Sequence, residues 1–215
     1  MANGFPSLPF SFLRYFTPAL LLSITLLCPA GDEKARKVGY IFEGSFESPD
    51  IFQLPEGAQR TILVPYYEWD YGVRAFTKEV WDERSMTQEK FAKAAATIAD
   101  QLAESVKLDV VRDKNEVVEY ILIEDKRPFV TGILTSDKLL PRVRDLLGDK
   151  ILVVMVERNL IFLFPSVGGN LKRYGPSLVA DFNAAKLPIS LEVFVLDEDG
   201  FRAIGVLSRE QGLIE

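Results

Sequence analysis

At 215 residues, with 25 Lys and Arg against 31 Asp and Glu, the chain is acidic and carries a formal charge of −6. It has no histidine and one cysteine, Cys28. This inventory excludes Ser-His-Asp and Cys-His catalysis, the usual zinc sites and an imidazole pH switch. The acidic balance also argues against nucleic acid or an anionic membrane surface as partner, because both demand clustered cations.

Residues 1–30 read as an export signal. Arg14 is their one charged side chain, and the apolar run Ala19–Leu27 leads to Cys28-Pro29-Ala30-Gly31. A secretory signal needs an apolar core of about 7–15 residues and a small residue at the cut. Ala30 fits that cut. The run is shorter than the roughly 20 residues of a membrane span. The expectation is an extracytoplasmic protein, periplasmic or secreted, with an uncleaved N-terminal anchor as the alternative. Cys28 ends the apolar run as a lipidated cysteine would, although Leu27 before it and Pro29 after it fit that chemistry poorly. Contact with a membrane is thus expected only through the leader or a lipidated Cys28. Without residues 1–30 the chain keeps 24 basic against 31 acidic residues and its acidity grows.

Residues 31–85 are aromatic-rich and broken by turn residues, and form an extended segment in this reading. Val38–Gly44 and Thr61–Tyr67 are its strand candidates. Ser85 with Gln88 fits a capping box opening a helix whose apolar stripe is Phe91, Ala95, Ile98, Leu102 and Val106. Leu108–Val111, Val117–Ile123 and Phe129–Leu134 read as three strands, and Ser136-Asp137 opens a second helix that Gly148 closes with a left-handed cap. Ile151–Val156 and Leu160–Phe164 are continuous apolar runs, the pattern of a central hairpin buried on both faces. A third helix runs from about Leu171 to Ala185, with Gly175-Pro176 inside it. Leu191–Leu196 and Phe201–Val206 flank Asp197-Glu198-Asp199-Gly200, a strong hairpin signal.

The predicted fold is α+β: a largely antiparallel mixed sheet with about three helices, preceded by the extended segment. Residues 86–207 form the α+β domain and residues 208–215 a frayed tail.

Two clusters are candidate sites. Tyr66-Tyr67-Glu68-Trp69-Asp70-Tyr71 joins aromatic faces to carboxylates, which suits a protein interface, peptide recognition or sugar stacking. Strand alternation would bury Tyr67, Trp69 and Tyr71 on one side and set Tyr66, Glu68 and Asp70 opposite. On that reading Glu68 and Asp70 share a face at a spacing compatible with a carboxylate-dependent glycan hydrolase. Gly168 and Gly169 with Lys172 and Arg173 place glycines and cations at a helix start, where free N–H groups can hold a small anion. The Asp197–Gly200 turn lacks the further ligands of a calcium loop. Arg158, at the turn between the apolar runs, is either exposed or paired with Glu157, Asp149 or a partner's carboxylate. No catalytic residue, metal ligand or cofactor is assigned.

The order Gly148-Asp149-Lys150-Ile151-Leu152-Val153-Val154, then Glu157-Arg158-Asn159-Leu160, then Leu187-Pro188-Ile189-Ser190, resembles a family of uncharacterised bacterial proteins that carry a domain of unknown function. The resemblance covers about residues 86–206. It implies an α+β module and brings no catalytic residue. The functional expectation is an exported, non-enzymatic binding module that engages another protein or an envelope component. The glycan hydrolase and the small-anion binder are the alternatives.

Overall fold

The central hairpin forms as its apolar runs require. In the computed structural model, which describes residues 37–208 and the backbone of 212–214, strands β6 (Ile151–Glu157) and β7 (Leu160–Pro165) pair antiparallel across the turn Arg158-Asn159. Around them lie β4 (Asp109–Arg112), β5 (Val118–Glu124), β8 (Glu192–Asp197), β9 (Gly200–Ser208) and β10 (Gly212–Ile214). The sheet order is β10-β9-β8-β6-β7-β5-β4, and every neighbouring pair is antiparallel. The α+β class is therefore as expected.

Alternation along β6 and β7 sends apolar side chains to both faces. Ile151, Val153, Met155, Ile161 and Leu163 enter one core together with Ile121, Ile123 and Phe194. Val154, Val156, Phe162 and Phe164 enter the other. Helix α4 (Asn170–Ala184) covers the second face with Leu171, Leu178 and Val179. It runs unbroken through Gly175-Pro176. The first face is covered by α2 (Gln88–Ser105), α3 (Leu139–Leu147) and a second sheet of β1 (Val38–Gly44), β2 (Thr61–Trp69) and β3 (Gly72–Ala75). The aromatic segment thus packs on the main domain and shares its core. A short helix α1 (Lys78–Glu83) links β3 to α2, and its Trp81 meets Phe76 edge-on and Phe91 at a tilt.

Four local expectations are corrected. Phe129–Leu134 is not a strand. Phe129 takes φ 67° and residues Val130–Thr135 form a 3-10 turn packed under β1. Thr131 Oγ1 accepts the Phe42 N–H at 3.1 Å, and Gly132 lies so close to β1 that a Cβ would stand 2.5 Å from the Tyr40 carbonyl oxygen. The place beside β5 goes to β7, with Ile121 opposite Leu163. The cap of α2 is Thr87, whose Oγ1 accepts from the Lys90 N–H at 3.2 Å, and not Ser85. Gln88 donates instead to the Tyr40 hydroxyl at 2.9 Å, so a tertiary bond displaces the capping box. Gly148 has φ 90° and ψ −177°, a positive φ without the left-handed helical ψ. Residues 212–214 pair with β9 as β10, where a frayed tail was expected. The leader, residues 1–30, lies outside the described residues.

Gly132→Ala should push a methyl into the β1 backbone and lower stability by about 1–3 kcal/mol, the range for overpacking a tight core. A lower urea midpoint at unchanged slope checks this.

Candidate functional site

Strand β2 ends at Trp69, and this ending decides what the aromatic cluster presents. Tyr66 and Tyr67 lie inside the strand and are both buried on opposite faces. Asp70 and Tyr71 form the tight turn into β3, with Trp69 opposite Gly72. Tyr71 is 84% exposed, so the expected burial of Tyr67, Trp69 and Tyr71 on one side holds for Tyr67 and fails for Tyr71. Trp69 is half-buried. Tyr71 meets it edge-on with ring centres 5.0 Å apart, and the Arg74 guanidinium lies 3.4 Å over its ring. Arg84 lies 4.6 Å over Tyr67 on the same face. The hairpin tip is therefore a surface of Tyr, Trp and Arg, with one face of the indole already taken by a cation.

Glu68 and Asp70 do not share a strand face, because Asp70 lies on the turn. Glu68 lines a cavity of about 270 Å³ with Lys37 and Arg127, and Asp70 is not among its walls. The shared strand face on which the carboxylate pairing was read does not form at these two positions.

The glycines of the second cluster adopt positive φ, 87° at Gly168 and 69° at Gly169, and Gly169 stands at the N-cap of α4. Of its two cations, Lys172 is exposed and Arg173 pairs with Glu119 on β5, which Tyr174 also reaches. Asn170 donates to the Glu119 carbonyl at 3.1 Å. These contacts tie α4 to the sheet and neutralise one of the two charges an anion would use. The Asp197–Gly200 segment is a hairpin turn. Asp197 holds Arg202 through two bonds of 2.9 Å, and no group of potential metal ligands occurs among the described residues.

Two charged groups stand out that sequence reading did not assign. The first is Glu43 on β1, 1% exposed. Arg158 Nε reaches its two oxygens at 2.7 and 2.8 Å, and the Tyr66 hydroxyl donates to Oε1 at 3.0 Å. Arg158 thus pairs across the two sheets, with neither Glu157 nor Asp149. Burial raises the Glu43 pKa above its ordinary 4.5 against the pull of Arg158. Burial, followed by the Glu43 charge, raises Tyr66 as well. For Arg158 burial opposes the charge, but Glu43 and Tyr66 outweigh it and the pKa rises. This triad fixes the face of β2 opposite Tyr67 and so sets the orientation of the hairpin tip. The apolar run Tyr40-Ile41-Phe42 leading into Glu43 was the available signal, since a strand buried throughout must pair its one acid.

The second is Glu192 at the start of β8, 2% exposed. Its Oε1 accepts the successive N–H groups of Gln59 and Arg60 at 2.6 and 3.0 Å. Oε2 has no hydrogen-bond partner among the described residues. Beside it Ser190 and Thr61 share a hydroxyl bond of 2.6 Å, and Ser190 Oγ accepts the Glu192 N–H.

Comparisons with protein-family models, curated proteins and solved structures found no match to this chain. The functional reading therefore rests on the chain's own geometry.

Glu43→Ala should cost about 3 kcal/mol by stranding Arg158, whereas Glu43→Met with Arg158→Met should be near neutral. A urea double-mutant cycle measures both. The raised Glu43 pKa means the folded state binds that proton more tightly than the unfolded chain. Its contribution is fully present below pH 4.5 and declines as pH rises through the raised value. Urea melts from about pH 3.5 to pH 7 should show the wild type losing stability relative to Glu43→Gln, whose amide does not titrate. A pH-independent difference would contradict this.

Proposed function

We propose that this protein is an exported, non-enzymatic binding module of the cell envelope that docks another protein or envelope component through the β2–β3 hairpin tip. One observation carries the reading: Tyr71 stands 84% exposed beside Trp69, which is clamped by Arg74. Tyr, Trp and Arg are the residues that dominate binding energy at protein interfaces. The ring packing and the cation over Trp69 hold the tip in one shape, which reduces the ordering cost of association. β3 is also the edge of its sheet among the described residues, the position at which a partner strand can add. The composition of residues 1–30 supports export, and the lack of histidine narrows the catalytic options.

The test is a photo-crosslinking residue at position 70, the exposed turn position beside Tyr71, activated in intact cells, with the mature N-terminus read by mass spectrometry. One recurrent crosslinked species is expected. Tyr71→Ser and Arg74→Ser should each remove it while changing stability by no more than about 0.5 kcal/mol, the usual range at exposed positions. A crosslink that survives both substitutions, or none in the envelope fraction, would count against the tip as the docking element.

A further inference from the structure

Glu192 lines a cavity of about 510 Å³ between the 57–60 loop and β9. Its volume falls within the roughly 300–1,000 Å³ of small-molecule sites. The cavity exists because of a bulge. Val193 pairs with Gly205 and Phe194 with Ala203, so Ile204 is the extra residue and the ladder beside Glu192 is splayed. Gly57, at φ 72°, lies against the Ala203 carbonyl, where a Cβ would stand 2.7 Å from the oxygen, and this holds the loop as the opposite wall.

Two charged residues line this space, each with a group that the fold leaves unpaired among the described residues. Glu192 spends Oε1 on two backbone N–H groups and leaves Oε2 unpaired, an expensive state for a buried carboxylate. Arg60 is exposed, lines the same cavity, and its guanidinium makes no hydrogen bond or ion pair among the described residues. The two charges suit different ligand groups. A bare cation would satisfy Glu192 and be repelled by Arg60, and a bare anion would meet the reverse. A molecule carrying both charges satisfies each.

We infer that the cavity binds a small zwitterion of the free amino-acid class, with its ammonium on Glu192 Oε2 and its carboxylate on the Arg60 guanidinium. Such an ammonium supplies the donor that Oε2 lacks, and Arg60 offers the fork that matches a carboxylate. Oε2 is closed to solvent, so entry requires the 57–60 loop to give way. The site is separate from the hairpin tip and does not depend on its role.

Isothermal titration of the full chain with each proteinogenic L-amino acid at about 5 mM tests the site, since millimolar affinity corresponds to about −4 kcal/mol. At least one should bind. Its N-acetyl derivative and its decarboxylated amine should each bind at least about tenfold more weakly, a loss of about 1.4 kcal/mol. Glu192→Gln keeps an acceptor for the Gln59 and Arg60 N–H groups and should weaken binding by a similar factor. Arg60→Met alters an exposed side chain, so its loss of binding at unchanged melting temperature separates recognition from folding. Absence of binding by every amino acid, equal binding by the amine, or binding that survives either substitution would overturn the assignment.

Discussion

A hairpin as apolar on both faces as β6–β7 can exist in water only if something covers each side, and the rest of the chain is arranged to do so. One side takes a single helix, α4, whose Leu171, Leu178 and Val179 meet Val154, Val156, Phe162 and Phe164. The other side is wider and takes α2, α3 and a whole three-stranded sheet. The residues before the first long helix are therefore part of the cover. Phe42, Ile62 and Val64 occupy the same core as Ile151 and Val153.

Covering a sheet with another sheet creates a seam, and the chain's buried charges gather there. Glu43 and Arg158 join β1 to the β6–β7 turn, while Glu192 at the start of β8 holds the loop that enters β2 through two N–H groups. Both acids lie far in sequence from their partners. The first is fully used, with three donor contacts to its two oxygens. The second keeps one oxygen spare. That difference separates a joint from a candidate ligand site, since a structural carboxylate in a dry seam has every reason to be satisfied.

The hairpin tip shows how a strand ending converts a buried pattern into a surface. Alternation places Tyr66 and Tyr67 correctly as strand residues, but says nothing of where pairing stops. The turn at Asp70-Tyr71 exposes Tyr71 and parts Asp70 from the face of Glu68. Trp69 would be an adhesive patch if bare, and Arg74 covers one face of it. The tip is thus of mixed aromatic and cationic character, with its indole partly covered and not a bare apolar patch.

Much of the secondary structure was legible in the sequence because it is encoded locally. The 3.6-residue stripe of α2, the unbroken apolar runs of β6 and β7 and the Asp-Gly turn between β8 and β9 need no distant partner to be recognised. The absence of histidine likewise limits the chemistry in any fold. Where a residue's role depends on a distant partner, local pattern failed. Phe129–Leu134 has strand composition, but β7 takes the place beside β5 and β1 draws the segment into a 3-10 turn through Thr131 and Gly132. Gln88 gives up its cap for Tyr40, 48 residues away. Arg158 finds Glu43 across 115 residues, and Glu192 reaches Gln59 across 133. Periodicity and turn chemistry act over a few residues and can be read directly. The pairing of buried charges and the choice of sheet neighbour are settled by which surfaces meet in three dimensions, and only the tertiary structure decided them.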